Sequence, residues 1–124
     1  MSLHTVPFRR NDHLHTVNLP DDVDPTQSSF HLAVQNLNSR DHQWTSTLAA
    51  TAEVSIPTPQ PLSVPLHTMD RPPVPLADHT GHRCFRIHLD RPARETLARH
   101  RTLNIRLPDD LDRLRLDLWI LTRD

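Results

Sequence analysis

The chain has 124 residues, and its 14 basic residues nearly balance its 15 acidic residues, which gives a formal net charge of −1. The single glycine, Gly81, excludes the glycine-rich loops that hold phosphates, and the single cysteine, Cys84, excludes an intrachain disulfide. The near-zero charge argues against a general polyanion binder, because such proteins draw their affinity from excess positive charge.

Apolar and polar residues alternate with a period of two along most of the chain, which is the pattern of half-buried β-strands. In chain order, this alternation predicts strands over residues 3–8, 13–19, 30–37, 44–56, 82–89, 102–107 and 113–121. The last of these strands is expected to bury an apolar face that consists of Leu114, Leu116, Leu118 and Ile120. One segment, 90–100, predicts a helix, because Asp90 can cap its first turn and a proline lies in that turn.

Seven prolines lie between residues 57 and 75, where the alternation is interrupted. Proline lacks an N–H group for a sheet ladder, so we expect this segment to be extended and largely outside any central strand. It is either a crossover loop between two sheets or an arm that lies on a neighbouring subunit. The arm interpretation makes its apolar residues candidates for a partner interface: Leu62, Val64, Leu66 and Val74.

Seven or eight short strands, one short helix and a long proline-rich loop predict an all-β fold, a small antiparallel β-sandwich or jelly-roll-like domain. We expect residues 1–124 to form this single domain, with the proline-rich loop or arm at 57–75. The N-terminus shows no secretion signal, and no stretch approaches the roughly 20 apolar residues that span a bilayer. Cytoplasmic synthesis without membrane contact is therefore the expectation.

Histidine is abundant, at ten residues, and it clusters near the only cysteine. The cluster consists of His79, His82, Cys84 and His88. Imidazole and thiolate bind zinc and copper, so an alternative function is a metal-binding module or a metal-dependent enzyme that uses this cluster. Arg86 lies among these residues and would repel a dication, and no standard ligand spacing is present. We therefore expect no metal, no cofactor and no catalytic residue.

Charge is unevenly distributed, with a net charge of −4 over residues 1–78 and +3 over residues 79–124. The outward positions of the last three predicted strands carry further interface candidates: Arg86, Arg106, Arg113 and Arg115. If these strands are neighbours, their guanidinium groups form one face that pairs with carboxylates or phosphates. Anion or nucleic-acid binding by this face is a second alternative, although neutral charge, absent lysine and few aromatic residues disfavour nucleic acid.

The sequence contains no recognisable catalytic motif, and its 35% hydrophobic content allows only a modest core. These features favour a non-enzymatic structural or interaction protein. We expect it to act with other protein subunits, as a homo-oligomer or as a component of a larger assembly. By analogy at the level of the fold, the expected assembly is a phage virion, in which such domains serve as capsid decoration, connector or tail proteins.

Overall fold

The structure, a computed structural model, describes residues 2–35, 44–69, 82–107 and 114–122, except for the side chains of Trp44 and His82. Within these ranges the chain forms ten strands and two helices. In chain order they are β1 (Ser2–Pro7), β2 (Arg9–Asn11), β3 (Leu14–Asn18), β4 (Ser28–Gln35), α1 (Trp44–Thr51), β5 (Glu53–Ile56), β6 (Leu62–Val64), β7 (Leu66–Thr68), β8 (His82–Ile87), α2 (Arg91–His100), β9 (Thr102–Arg106) and β10 (Arg115–Thr122).

The strands form two antiparallel five-stranded sheets, which confirms the predicted fold class. Sheet A has the order β1-β10-β4-β8-β7, and sheet B has the order β2-β3-β9-β5-β6. A single residue, Phe8, joins edge strand β1 of sheet A to edge strand β2 of sheet B. At the opposite edges, Pro65 joins β6 to β7 in the same way. The chain therefore changes sheet at both pairs of edges, as in sandwiches whose corners are made by strands that switch sheets.

The hydrophobic core lies between the sheets, because alternation gives most strands one apolar side. Large side chains from both sheets are buried there: Phe30, Leu32, Phe85, Leu118 and Ile120 from sheet A, and Ile56, Leu103 and Ile105 from sheet B. The predicted apolar face of the last strand belongs to this core. Its members are at most 6% exposed: Leu114, Leu116, Leu118 and Ile120.

Helix α2 confirms the prediction for residues 90–100, and its caps explain where it begins and ends. The Asp90 Oδ1 atom accepts a hydrogen bond of 2.9 Å from the backbone N–H of Ala93. At the other end, Arg101 adopts the left-handed conformation with φ of 63° and donates its N–H to the Leu97 carbonyl at 2.8 Å. Ala93 and Leu97 are buried, so this helix packs against the core.

Two arginines at α2 hold the loop between β3 and β4 by its backbone carbonyls. Arg94 donates through Nη1 to the carbonyls of Pro25, at 2.7 Å, and Ser28. Arg101 donates through Nη1 to the carbonyl of Val23 at 2.8 Å. Hydrogen bonds from charged donors contribute about 1.5–3 kcal/mol each, so these contacts tie the loop to the helix.

The segment 44–56 departs from the prediction of one long strand. Its first part is helix α1, so the prediction of a single helix in the chain is wrong, and only Glu53–Ile56 forms a strand. Leu48 is fully buried, and the Ala52 N–H donates to its carbonyl at 2.8 Å. The residues around Leu48 are mostly small alanines and threonines, whose pattern does not separate a helix from a strand.

The described part of the proline-rich segment, 57–69, contains the two short strands β6 and β7. Both lie at sheet edges, where the missing N–H of proline is tolerated. Between them, the Pro65 carbonyl accepts a hydrogen bond of 3.0 Å from the His88 N–H. This part of the segment therefore connects the two sheets, and residues 70–75 fall outside the described ranges.

Truncation of Leu116 to alanine should strongly destabilise the protein, because Leu116 is 4% exposed and part of the core. The expected loss in free energy of unfolding for Leu116→Ala is about 2–5 kcal/mol. Urea denaturation followed by circular dichroism measures it. The control is Thr5→Ala on neighbouring strand β1, where an exposed side chain should cost less than about 1 kcal/mol. Equal stability of the two variants would contradict this assignment of the core.

Loss of the Arg94 guanidinium should loosen the loop between β3 and β4, because the carbonyls of Pro25 and Ser28 lose their charged donor. We expect Arg94→Met to lower the free energy of unfolding by about 1–3 kcal/mol and to speed proteolytic cleavage in the loop. The matched control is Arg99→Met, an exposed arginine of the same helix. Cleavage at the same rate in both variants would show that the guanidinium does not hold the loop.

Candidate functional site

Sheet A has a second face that points away from the core, and we name it the outer face. The strand register aligns one row of residues across all five strands of this sheet, from β1 to β7. In order, the row is Thr5, Trp119, His31, Arg86 and His67. The next row contains Asp117, Ala33 and Cys84. The outer face thus combines an aromatic residue, a thiol, imidazoles and charged groups.

A small apolar cluster on the outer face is separate from the main core. It consists of Ala33, Cys84 and Trp119, all at most 6% exposed, with Leu3 and Met69 packed against it. Burial raises the pKa of the Cys84 thiol, although the charge of Arg83 acts in the opposite direction. A thiol that stays protonated is a poor nucleophile and a poor metal ligand, so Cys84 acts as a packing residue.

The metal hypothesis requires the imidazoles and the thiol of one cluster to converge, namely His79, His82, Cys84 and His88. His79 and the side chain of His82 lie outside the described part of the chain. Among the residues that the structure does describe, no three His, Cys, Asp or Glu side chains are arranged to hold a metal ion. The exposed His88 ring contacts His67 edge to face, with 5.9 Å between the ring centroids, whereas Cys84 is packed in the apolar cluster.

The arginines do not form the single face that the sequence analysis considered. Arg86 and Arg115 lie on the outer face of sheet A, but strand β4 separates their strands. Arg106 lies on β9 of sheet B, and Arg113 is not among the described residues. Alternation shows which arginines point outward, but strand order decides which of them are neighbours, and that order comes from long-range pairing.

Arg86 and Arg115 have different surroundings on the outer face. The Arg115 Nε atom lies 3.7 Å from Oδ2 of the nearly buried Asp117. Arg86 is exposed and pairs with no carboxylate of the described part of the chain. Its neighbour His31 is 5% exposed, and its Nε2 lies 3.1 Å from the Ser29 hydroxyl. Burial, assisted by the charge of Arg86, lowers the pKa of His31, so Arg86 carries the positive charge at this place.

A cleft of about 360 Å³ opens beside Arg86, where β4 begins. Arg94 of α2 also lines it, and Ser29 and Leu121 contribute a hydroxyl and an apolar wall. The loop that Arg94 holds contributes Thr26. Alternation predicts the outward position of Arg86, whereas nothing in the sequence points to Arg94, because a helical arginine carries no signal that it faces a strand distant in sequence.

The apolar interface candidates of the proline-rich segment have different positions. Val64 is 6% exposed in the core, and Leu66 packs against that core, so the structure places both within this chain instead of on a partner. Leu62 is 36% exposed. Val74 belongs to a part that the structure does not describe. Val64 and Leu66 are covered because β6 and β7 complete the edges of the two sheets.

Comparison with curated proteins gives no match. Residues 2–121, however, match the family described as bacterial type VI secretion, with the names VC_A0110, EvfL, ImpJ and VasE. The chain belongs to this family. The prediction of a phage virion component is therefore not supported, because the VasE family is one of bacterial secretion. None of the helices in the described ranges is long and apolar enough to cross a membrane.

Solved structures share the fold of this VasE-family chain. The TssK C-terminal domain from the E. coli type VI secretion system superimposes with a TM-score of 0.82 at 12% identity, covering 98% of this chain and 100% of that one. TssK from EAEC in complex with a nanobody gives 0.77 at 14% identity, and a chain of the type VI secretion baseplate complex gives 0.78 at 15%. This chain spans 30% and 29% of those two longer chains.

Stability should fall in acid because two buried histidines resist protonation. Burial lowers the pKa of His15, assisted by Arg10, and of His31 below the ordinary value of 6.5. The unfolded chain then binds protons more readily, so this stability is present above pH 6.5 and is lost as the pH falls below it. The urea midpoint should drop between about pH 7.5 and 5.5.

A double variant tests the source of this pH dependence. His15→Gln with His31→Gln should make the drop in urea midpoint smaller, because both buried imidazoles are removed. His100→Gln, which changes an exposed histidine, should leave the drop unchanged. A pH dependence that is the same in the double variant would contradict the assignment to these two residues.

Proposed function

We propose that this chain is a non-enzymatic structural domain of a type VI secretion baseplate, and that it binds other protein subunits through the outer face of sheet A. One observation carries the proposal. Within a bacterial type VI secretion family, the chain shares its fold with the whole TssK C-terminal domain over 98% of its length. A chain of the solved baseplate complex shares this fold as well.

The chemistry of the described residues supports a binding role. They provide no three-donor metal group, and the Cys84 thiol is kept protonated by burial. The two sheets instead share one continuous core among the described residues, which supports a single domain, and residues 57–69 connect the sheets through β6 and β7. A rigid sandwich presents its two outer faces with fixed geometry, which suits a component of a multi-subunit assembly.

The outer face of sheet A is better suited to a protein interface than the corresponding face of sheet B. On sheet B, hydroxyl and amide groups satisfy one another: Thr16 donates to the Asn104 side chain at 3.0 Å, and Thr102 donates to the Asn18 side chain at 2.9 Å. Sheet A instead presents two exposed side chains in one row, Arg86 and His67, with no carboxylate of the described residues paired to Arg86. Arginine is enriched at protein interfaces, and serine is depleted.

Affinity co-purification of the chain with the other baseplate subunits of the same bacterium tests the proposal. We expect the unmodified chain to recover baseplate subunits in defined stoichiometry. Arg86→Glu combined with His67→Glu should lower this recovery about tenfold or more, because two negative charges are placed in one row of the interface. Both side chains are exposed, so the fold should survive.

The matched control is Arg9→Glu, which changes an exposed arginine on β2 of sheet B. This variant should recover the same amount of the baseplate subunits as the unmodified chain. Failure of the unmodified chain to recover any baseplate subunit would overturn the proposed function. Equal losses in the two variants would instead overturn the assignment to the outer face of sheet A.

A further inference from the structure

We infer that the cleft between Arg86 and Arg94 binds the carboxylates of an acidic segment of a partner protein. This inference rests on the proposed function, since it specifies the chemistry of a partner at the edge of the same outer face. The cleft has a volume of about 360 Å³ and is lined by both arginines, by Ser29 and by Leu121. Its two guanidinium groups reach it from different elements, β8 and α2.

Arg94 is held in place before any ligand arrives. Its Nε donates to the Leu89 carbonyl at 3.1 Å, and its Nη1 donates to the carbonyls of Pro25 and Ser28. These bonds use three of the five N–H donors of a guanidinium group, and the two on Nη2 have no acceptor among the described residues. A side chain that is already ordered loses little further conformational entropy when it binds an anion.

Arg86 supplies a second guanidinium group without a counter-charge. It is exposed, and none of the carboxylates in the described ranges pairs with it. Two acidic residues that neighbour lining residues of the cleft are already engaged. Asp24 Oδ1 accepts hydrogen bonds from the N–H and the hydroxyl of Thr26, at 2.9 and 2.6 Å, and Glu95 pairs with Arg91 at 3.3 Å. The cleft therefore has positive charge that the described chain leaves unbalanced.

The surroundings favour a protein carboxylate over a phosphate. A carboxylate carries one negative charge and pairs bidentately with a planar guanidinium group. Leu121 adds an apolar wall that can cover the methylene groups of a glutamate side chain. An acidic peptide segment provides both the carboxylates for the guanidinium groups and the methylene groups for Leu121.

Fluorescence anisotropy with a capped, labelled hexaglutamate peptide tests the inference on the purified chain at low ionic strength. We expect hexaglutamate to bind, and hexaglutamine not to bind. Arg86→Gln should weaken binding of hexaglutamate about tenfold or more, since charge-assisted hydrogen bonds are lost. Arg94→Lys should also weaken binding, because it keeps the charge but loses the guanidinium geometry. Circular dichroism confirms that each variant is folded.

The matched control is Arg106→Gln, which removes an exposed arginine on sheet B and should change the affinity by less than about twofold. Equal weakening by Arg106→Gln and Arg86→Gln would overturn the inference, because it would indicate diffuse attraction. Competition by inorganic phosphate at concentrations equal to those of hexaglutamate would assign the cleft to phosphate and also overturn it.

The inference and the proposed function can fail separately. A chain that recovers baseplate subunits but does not bind hexaglutamate would overturn only the inference. A chain that binds hexaglutamate in an Arg86-dependent manner but recovers no baseplate subunit would support the cleft chemistry and overturn only the baseplate role.

Discussion

Burial of one face of each sheet against the other is the constraint on which the rest of this structure depends. Each sheet has one apolar face, so neither sheet is stable alone with that face in water. The chain meets this requirement by crossing between the sheets at both pairs of edges, through Phe8 and Pro65. As a result, β1 and β2 are consecutive in the sequence but belong to different sheets, and the same holds for β6 and β7. Helix α2 adds Ala93 and Leu97 to the same core.

Because the core occupies the inner faces, interaction chemistry is confined to the outer faces and the ends of the sandwich. On sheet A, small and apolar residues at the centre, including Ala33 and Cys84, pack around Trp119, while Arg86 stands nearer the end. The loop between β3 and β4 meets α2 at that end, and Arg94 serves both. The hydrogen bonds that stabilise the loop therefore also position a guanidinium group at the cleft.

Several features were predictable from the sequence because they depend on local pattern. Alternation identified the strands around residues 13–19, 30–37, 82–89, 102–107 and 113–121, and capping chemistry identified α2. The prediction of a strand over residues 44–51 was wrong for a physical reason. Leu48 would be buried in a helix or in a strand, and its small neighbours do not distinguish between the two. Val64 was predicted as an interface candidate, but the edge strand β6 directs it into the core.

The sequence by itself determined the all-β class, the apolar face of the last strand and the outward position of Arg86, because a period of two fixes which side of a strand a residue occupies. Only the tertiary structure decided that Arg86 and Arg106 belong to different sheets and that Arg94 meets Arg86 at one cleft. Strand order and helix docking arise from contacts between residues far apart in the chain. Local periodicity does not indicate which strands and helices pack together, because that packing depends on how they share one core.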